Sequence, residues 1–364
     1  MSQDVSRRGF LAGLTAGGTA LALESAAADA VVQPIHPRVE VAPTGGTIRI
    51  LLAAKLAPEE VDAIRRAGRN VEIVVPRDER ETVAAAGEAE AILGAPSVEA
   101  IRAARNLKWV QHWAAGVERL PRELMQHPCV LTNMQRVFAP VIAETAFALL
   151  LGLTRGLVQD SVPNFRLRKW DRGGGGVPLD DLFQKTMGVV GLGGIGTEVA
   201  RRAHYGFGMK VLALDPKPLP RPDFVAELRE PAGLAEMVPQ VDVLVSCAPH
   251  TKETEKMFGE AVFRAMRKTA YFVNVSRGGL VDQVALARAL KEGSIRGAGL
   301  DVTTPEPLPA EDPLWDCPNL AITPHNSGSA PIRQVRLVAL VAENVRRYSS
   351  GLPLLNVVDK ERGY

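Results

Sequence analysis

The sequence is poor in cysteine, in net charge and in long apolar runs. Only Cys129, Cys247 and Cys317 occur among 364 residues. An odd, sparse set without CxxC or other metal-type spacing excludes a disulfide framework and gives no metal site. The formal net charge is only +2, too weak a field to suggest nucleic acid or an anionic membrane as a partner. After the first thirty residues no apolar run is long enough to span a bilayer, so the mature chain is expected to have no integral membrane segment. Hydrophobic residues at 46% and charged residues at 23% are ordinary for a globular protein, and the length predicts two domains.

What is present begins with a leader. Ser6-Arg7-Arg8-Gly9-Phe10-Leu11 sets paired arginines before the mild apolar stretch Leu11 to Leu23, and small residues follow at Ala26-Ala27-Ala28-Asp29-Ala30. A basic region, an apolar region and an Ala-x-Ala site in that order predict a twin-arginine export signal over 1–30, with a periplasmic destination. The competing reading is a cytoplasmic protein with a chance arginine pair in an amphipathic or disordered leader. A Pro-punctuated linker over 31–46 comes next.

Two stretches then alternate short apolar runs with helical patterns, as parallel sheets covered by helices do. The first has expected strands at Ile48–Ala53, Val71–Val75, Ala91–Leu93, Trp109–His112 and Val130–Asn133, with helices at Pro58–Ala67 and Val98–Ala104. The second has six, at Met187–Gly191, Val211–Asp215, Val241–Ser246, Tyr271–Val275, Ala298–Val302 and Leu320–Thr323, matching a doubly wound dinucleotide-binding sheet. Pro140–Gly156 reads as a long apolar helix between the two, and Pro331–Tyr348 as a helix that returns the chain to the first domain. The expected division is 47–145 with 330–364 as a discontinuous substrate domain and 146–329 as the nucleotide domain, with the active site in the cleft between them. Gly173 to Gly176 carries no assigned role.

Gly191-Leu192-Gly193-Gly194-Ile195-Gly196 follows a strand and opens a helix over Thr197–His204. Gly191 suits the tight turn, Gly193 a close approach to a pyrophosphate, and Gly196 close helix–strand packing. The helix N-terminus then offers N–H groups and a positive dipole end to phosphates. Asp215 closes the next strand at about the 20-residue spacing of the ribose-binding acid. A carboxylate there repels a 2′-phosphate and favours NAD over NADP, although Lys217 and Arg221 soften that preference.

At the ends of three later strands stand Arg277 (in Val275-Ser276-Arg277-Gly278-Gly279), Glu306 (in Thr304-Pro305-Glu306-Pro307) and His325 (in Thr323-Pro324-His325-Asn326). The carboxyl ends of strands face the ligand crevice in an open α/β sheet, so one cation, one acid and one imidazole meet there.

With that ordered set, the chain from about Ile48 to Val358 resembles the D-isomer-specific 2-hydroxyacid dehydrogenase family. The resemblance implies a Rossmann-type nucleotide domain beside a discontinuous flavodoxin-like α/β substrate domain, and a homodimer formed through the nucleotide domains. Pro249-His250-Thr251-Lys252-Glu253-Thr254 is similar to the family's segment beside the adenosine, which places Pro249 and Thr254, with Val275, in the cofactor shell. By the same resemblance Asp301 holds the nicotinamide carboxamide, and Ala115-Gly116-Val117 presents backbone N–H groups to the substrate carboxylate. Asn133 and Ala143-Glu144 also fall in family positions.

The chemistry implied is hydride transfer between a nicotinamide and a small 2-hydroxy or 2-keto acid of the glyoxylate or hydroxypyruvate type. His325, an imidazole that titrates near neutral pH, exchanges the proton with the substrate oxygen, with Glu306 as its partner. Arg277 forks onto the substrate carboxylate and polarises the carbonyl. Asn326-Ser327 and Met134-Gln135-Arg136 depart from the family pattern and leave substrate identity open. Glu306, in place of the glutamine of formate-oxidising relatives, disfavours formate. Two rivals stand beside this reading. One is a non-catalytic NAD(H)-sensing scaffold of the same fold. The other is an exported oxidoreductase that keeps its NAD tightly bound and acts on a phosphite-like substrate.

Overall fold

The computed structural model describes residues 41–43, 45–171 and 178–364. The twin-arginine leader, most of the linker and the Gly173–Gly176 run lie outside the described residues. The chain divides into two compact units, one formed by Phe138–Ser329 and the other by the chain on either side of it.

The flanking unit is built on strands β1 (Ile48–Ala53), β2 (Val71–Val74), β3 (Ala91–Gly94), β4 (Trp109–Gln111) and β5 (Val130–Thr132). All pair in parallel in the order β2-β1-β3-β4-β5, the flavodoxin-like order. The strands with neighbours on both sides are buried almost throughout, as expected where helices cover both faces. Helix α1 (Pro58–Ala67) starts with proline in its first turn and carries Glu59 and Glu60 there, with Arg65 and Arg66 in its last, complementing the helix dipole at both ends. Asp78 and Ser97 accept backbone N–H groups to cap α2 (Glu79–Ala86) and α3 (Val98–Ala103). Short α4 (Arg122–Gln126) precedes β5. Leu51, Ile92, Val110, Leu124 and Leu131 form part of one core.

The second unit begins with α5 (Ala139–Thr154). The expected boundary at residue 145 cuts through this helix, but its buried residues, Ala143 through Leu153, pack whole into the core of the second unit. The strands that follow are β6 (Thr186–Val190), β7 (Lys210–Leu214), β8 (Glu227–Arg229), β9 (Val243–Ser246), β10 (Tyr271–Asn274), β11 (Gly297–Leu300) and β12 (Leu320–Ile322). Their order is β12-β11-β10-β9-β6-β7-β8, the Rossmann arrangement extended by one strand beyond the sixth. The sheet thus has seven strands where the sequence pattern shows six. The missing one, β8, is a half-buried edge strand reading Glu-Leu-Arg, too short and too charged to give an apolar run. Side-chain alternation divides the interior strictly. Val189, Val211, Val243 and Val273 face the core that contains α5 and α6 (Gly194–Phe207), while Val190, Leu212, Leu244 and Phe272 face the opposite core with α7 (Glu260–Ala265) and α8 (Gln283–Lys291).

Helix α9 (Arg333–Ser349) belongs to the first unit, where Tyr348 donates to Glu90 just before β3 and Arg69 N–H, just before β2, donates to Ser349. Its C-terminal end therefore lies at the amino edge of that sheet. The tail continues into an antiparallel bridge between Thr132 and Val357 and ends with Lys360 Nζ donating to the carbonyls of Leu124, His127 and Cys129. Among the described residues no single helix is long and apolar enough to cross a membrane.

Candidate active site

Strand register assembles the site of the second unit. Val190, Leu214, Ser246, Asn274, Leu300 and Ile322 stand in one row across six parallel strands. The residue after each is Gly191, Asp215, Cys247, Val275, Asp301 or Thr323. Residues scattered over more than a hundred positions thus share the carboxyl edge of one sheet, where ligands of such folds bind.

Gly191 adopts φ +92°, and a Cβ there would lie 2.7 Å from the Ala248 nitrogen. A Cβ at Gly196 would lie 1.9 Å from the Gly191 carbonyl oxygen, so the helix packs onto the turn only because both are glycine. Gly193 is different: it is exposed, and nothing lies within 4 Å of where its Cβ would stand. Open space over this turn, with the first N–H groups of α6 at Gly194 and Ile195, fits a dinucleotide pyrophosphate. Asp215, nearly buried, accepts the Leu192 N–H at 2.8 Å and the Lys217 N–H at 2.9 Å. Its carboxylate ties β7 to the glycine turn, and each oxygen retains a second lone pair for a ribose hydroxyl.

Pro249 and Thr254 meet each other: Thr254 Oγ1 donates to the Pro249 carbonyl and accepts the Thr251 N–H, both at 2.8 Å. The pair closes the loop after β9 upon itself. Val275 is buried, and its N–H donates to the Ser246 carbonyl at 3.4 Å.

Arg277 and Glu306 sit on loops that touch backbone to backbone, since a Cβ at Gly278 would stand 2.0 Å from the Thr303 carbonyl oxygen. His325 Nδ1 lies 2.8 Å from Glu306 Oε2. The other carboxylate oxygen, Oε1, accepts the Thr303 N–H at 3.1 Å, so Glu306 is held at both ends of its carboxylate. His325 has φ +49°, a left-handed conformation rare for a side-chain-bearing residue and frequent at functional sites. Its N–H donates to the Asp301 carbonyl at 2.7 Å. The Asp301 side chain, almost fully buried, accepts from Thr323 Oγ1 at 2.7 Å and from the N–H groups of Asn326 and Ser327. It is the clamp of the loop that carries the imidazole. Asn326 and Ser327, which depart from the family pattern, meet this clamp through their backbone.

Sequence reasoning missed Asn274. Wholly buried at the end of β10, it accepts from Ser276 N–H and Oγ and donates to the Arg277 carbonyl at 2.9 Å, fixing the backbone that bears the guanidinium. The available signal was an amide closing an otherwise apolar strand.

The substrate-loop candidates Ala115, Gly116 and Val117 lie in the other unit, after β4. Asn133 Nδ2 donates to the Ala115 carbonyl at 2.6 Å, and the Met134 N–H to the Ala114 carbonyl at 3.0 Å, so the segment after β5 supports this loop. Ala143 is buried in α5, and Glu144 is exposed with Arg202 at 4.0 Å. Of the three cysteines, Cys247 stands beside the glycine turn, with burial pushing its thiol up to about 12.

A glycine turn at a sheet switch point, an acid on the following strand and a carboxylate–imidazole pair at neighbouring strand ends define a dinucleotide-dependent oxidoreductase. Residues 147–327 match the family described as D-isomer specific 2-hydroxyacid dehydrogenase, NAD binding domain. The chain is 38% identical over 267 residues to glyoxylate reductase of Korarchaeum cryptofilum, covering 72% of this chain and 79% of that protein. A D-isomer specific 2-hydroxyacid dehydrogenase family protein from Aeromonas salmonicida superposes with TM-score 0.72 at 29% identity, covering 86% of this chain and all of the other. The NADPH-dependent glyoxylate/hydroxypyruvate reductase of Sinorhizobium meliloti, solved with citrate, gives TM-score 0.67 at 28% identity over 86% of this chain and 98% of its own. The chain belongs to the D-isomer specific 2-hydroxyacid dehydrogenase family. It is an NAD(P)-dependent oxidoreductase of 2-hydroxy or 2-keto acids.

Proposed function

We propose that the enzyme interconverts small 2-keto acids of the glyoxylate or hydroxypyruvate type with their D-2-hydroxy acids, using NAD in preference to NADP. The observation that carries this reading is the 2.8 Å contact between His325 Nδ1 and Glu306 Oε2, which follow β12 and β11, with Arg277 after β10, the next strand in the sheet. Bound nicotinamide supplies or accepts the hydride. Glu306 engages Nδ1 and leaves Nε2 of His325 to give the substrate oxygen its proton in reduction and to take it back in oxidation. Arg277 pairs with the substrate carboxylate and stabilises charge growing on the carbonyl oxygen. The preference for NAD rests on Asp215, whose carboxylate opposes a 2′-phosphate. Purified mature protein should oxidise NADH with glyoxylate and hydroxypyruvate, at higher kcat/KM than NADPH. Tight NADH binding with no turnover of any 2-keto acid would instead favour a sensing scaffold.

We further infer a homodimer and export. Phe165 and Trp170, 81% and 89% exposed, present large apolar surface on the nucleotide unit. Light scattering should give twice the chain mass; a single-chain mass would rule the dimer out. The leader's arginine pair supports passage of the folded protein to the periplasm with its dinucleotide held. Protein recovered from the periplasm without bound NAD(H) would contradict that retention.

A further inference from the structure

The carboxylate of Glu306 stands on a stretch with few backbone donors. Pro305 and Pro307 on either side of it have no N–H, so across residues 303–307 only Thr303, Thr304 and Glu306 can donate from the main chain. Such a stretch cannot be held by a backbone ladder, and its conformation depends on side-chain ties. Two ties are internal. The Thr303 N–H donates to Glu306 Oε1 at 3.1 Å, and Thr303 Oγ1 donates to the Pro305 carbonyl at 3.0 Å. They fix Glu306 relative to Thr303, but they do not fix the stretch relative to its neighbours.

Gln283 supplies that connection. Its Nε2 donates to the Thr304 carbonyl at 2.9 Å, and its Oε1 accepts the Thr304 N–H at 2.5 Å. The amide does for Thr304 what a neighbouring peptide does in a sheet. A backbone N–H only donates and a carbonyl only accepts, so the orientation of the amide is determined and both of its polar ends are engaged. Gln283 opens α8, where Asp282 Oδ1 accepts the Ala285 N–H at 3.0 Å and Leu286 and Leu290 are buried in the core. The connection between β10 and α8 therefore grips the loop after β11 twice. Gly278 lies against the Thr303 carbonyl, and Gln283 takes both polar atoms of Thr304. Arg277 begins this connection, so one segment bears the guanidinium and holds the loop that bears the carboxylate. Thr304 is exposed to water, where such bonds add little net stability, so their main effect is orientation.

We propose that Gln283 is a positioning residue for the pair Glu306 and His325. By clasping Thr304 it steadies the Thr303 N–H, and through that N–H the carboxylate that meets His325 Nδ1 at 2.8 Å. The role rests on the acid–base reading of Glu306 and His325 given above and extends it to a residue outside every motif of the sequence.

Two replacements separate positioning from support of the helix. Gln283→Met keeps the length and loses both bonds. Gln283→Glu keeps an acceptor for the Thr304 N–H, loses the donor and, as an acid in the first turn of α8, favours the helix. With NADH and glyoxylate or hydroxypyruvate, Gln283→Met should lower kcat about tenfold, with KM and NADH affinity within about twofold of wild type. Gln283→Glu should fall between the two while melting no earlier than wild type. Wild-type turnover in Gln283→Met, or in Gln283→Glu, overturns the proposal.

Gln283→Met is then repeated in a Glu306→Ala background, where it should change the residual kcat by less than about twofold, because a residue that acts through Glu306 has nothing left to hold. The same loss in both backgrounds overturns the proposal and leaves the acid–base reading intact. Wild-type kcat in Glu306→Ala alone makes that reading itself fail, and the positioning role with it. Amide hydrogen exchange needs no substrate. In Gln283→Met the Thr303 N–H, which Gln283 does not touch, should exchange about tenfold faster, and unchanged exchange there also overturns the proposal.

Discussion

The two sheets run parallel throughout and end in similar loops, yet they treat their polar groups oppositely. At the edge of the nucleotide unit, Asp215, Asn274, Asp301 and Glu306 each accept from backbone N–H groups of the loops they organise. The machinery there is assembled by the chain's own bonds before any ligand arrives, which is how a site avoids reorganisation during reaction. In the other unit, His112 Nδ1, Gln135 Nε2 and Arg336 Nη1 are buried without a hydrogen-bond partner among the described residues. One edge is preorganised for chemistry, and the other unit keeps buried nitrogens unsatisfied.

The most severe way to break the preorganised edge is to remove its imidazole. Asparagine is the fitting replacement at His325 because it tolerates φ +49° better than alanine does. His325→Asn should cut kcat by about 10²–10⁴-fold, the usual worth of a general acid–base group, while NADH still quenches or shifts fluorescence at wild-type affinity. Unchanged turnover would remove His325 from the chemistry.

A milder lesion sharpens the cofactor side. Asp215→Ser should lower kcat/KM with NADH by about tenfold, roughly one charge-assisted hydrogen bond, and raise it with NADPH. Steady-state rates with both nucleotides decide the matter, and equal losses with both would leave Asp215 a purely structural clamp.

The smallest effect probes the flanking unit. Burial holds His112 below its ordinary value of 6.5, opposed in part by hydrogen bonds to the backbone of Gly116 and Gly94 and by the charge of Glu118. Above 6.5 the group is neutral folded and unfolded, and its contribution is complete. As pH falls through 6.5 and then through the lower folded value, the unfolded chain takes up the proton first, so stability drops. Urea midpoints at pH 7.5 and pH 5.5 should therefore converge more closely in His112→Asn than in the wild type, and an identical pH difference in both would contradict this.

Much of this organisation is legible in the residues. Ile48–Ala53 and Pro58–Ala67 coincide with β1 and α1, and other expected strands differ by one or two residues at their ends. Edge strand β8 escaped because a half-buried Glu-Leu-Arg run carries no hydrophobic signal. The glycine turn and the acid that follows it were readable because their constraints are local: where a Cβ cannot fit, only glycine stands. Glu306 and His325 could be expected as partners at neighbouring strand ends, but the Thr303 N–H that holds the other carboxylate oxygen could not.

Hydrophobic periodicity and glycine sterics, both properties of short segments, determined the α/β class and the dinucleotide turn, and the ordered polar residues Asp215, Arg277, Glu306 and His325 carried the family resemblance. Tertiary structure alone decided which polar groups are satisfied. Asn344 Nδ2 reaches Gln111 Oε1 at 2.8 Å across 233 positions, and Lys360 caps three carbonyls more than 230 positions away. It likewise decided that His325 and Arg136 occupy left-handed backbone. Such outcomes depend on which distant groups the fold brings within about 3 Å of each other, and hydrogen-bond geometry at that range is not written in any local pattern.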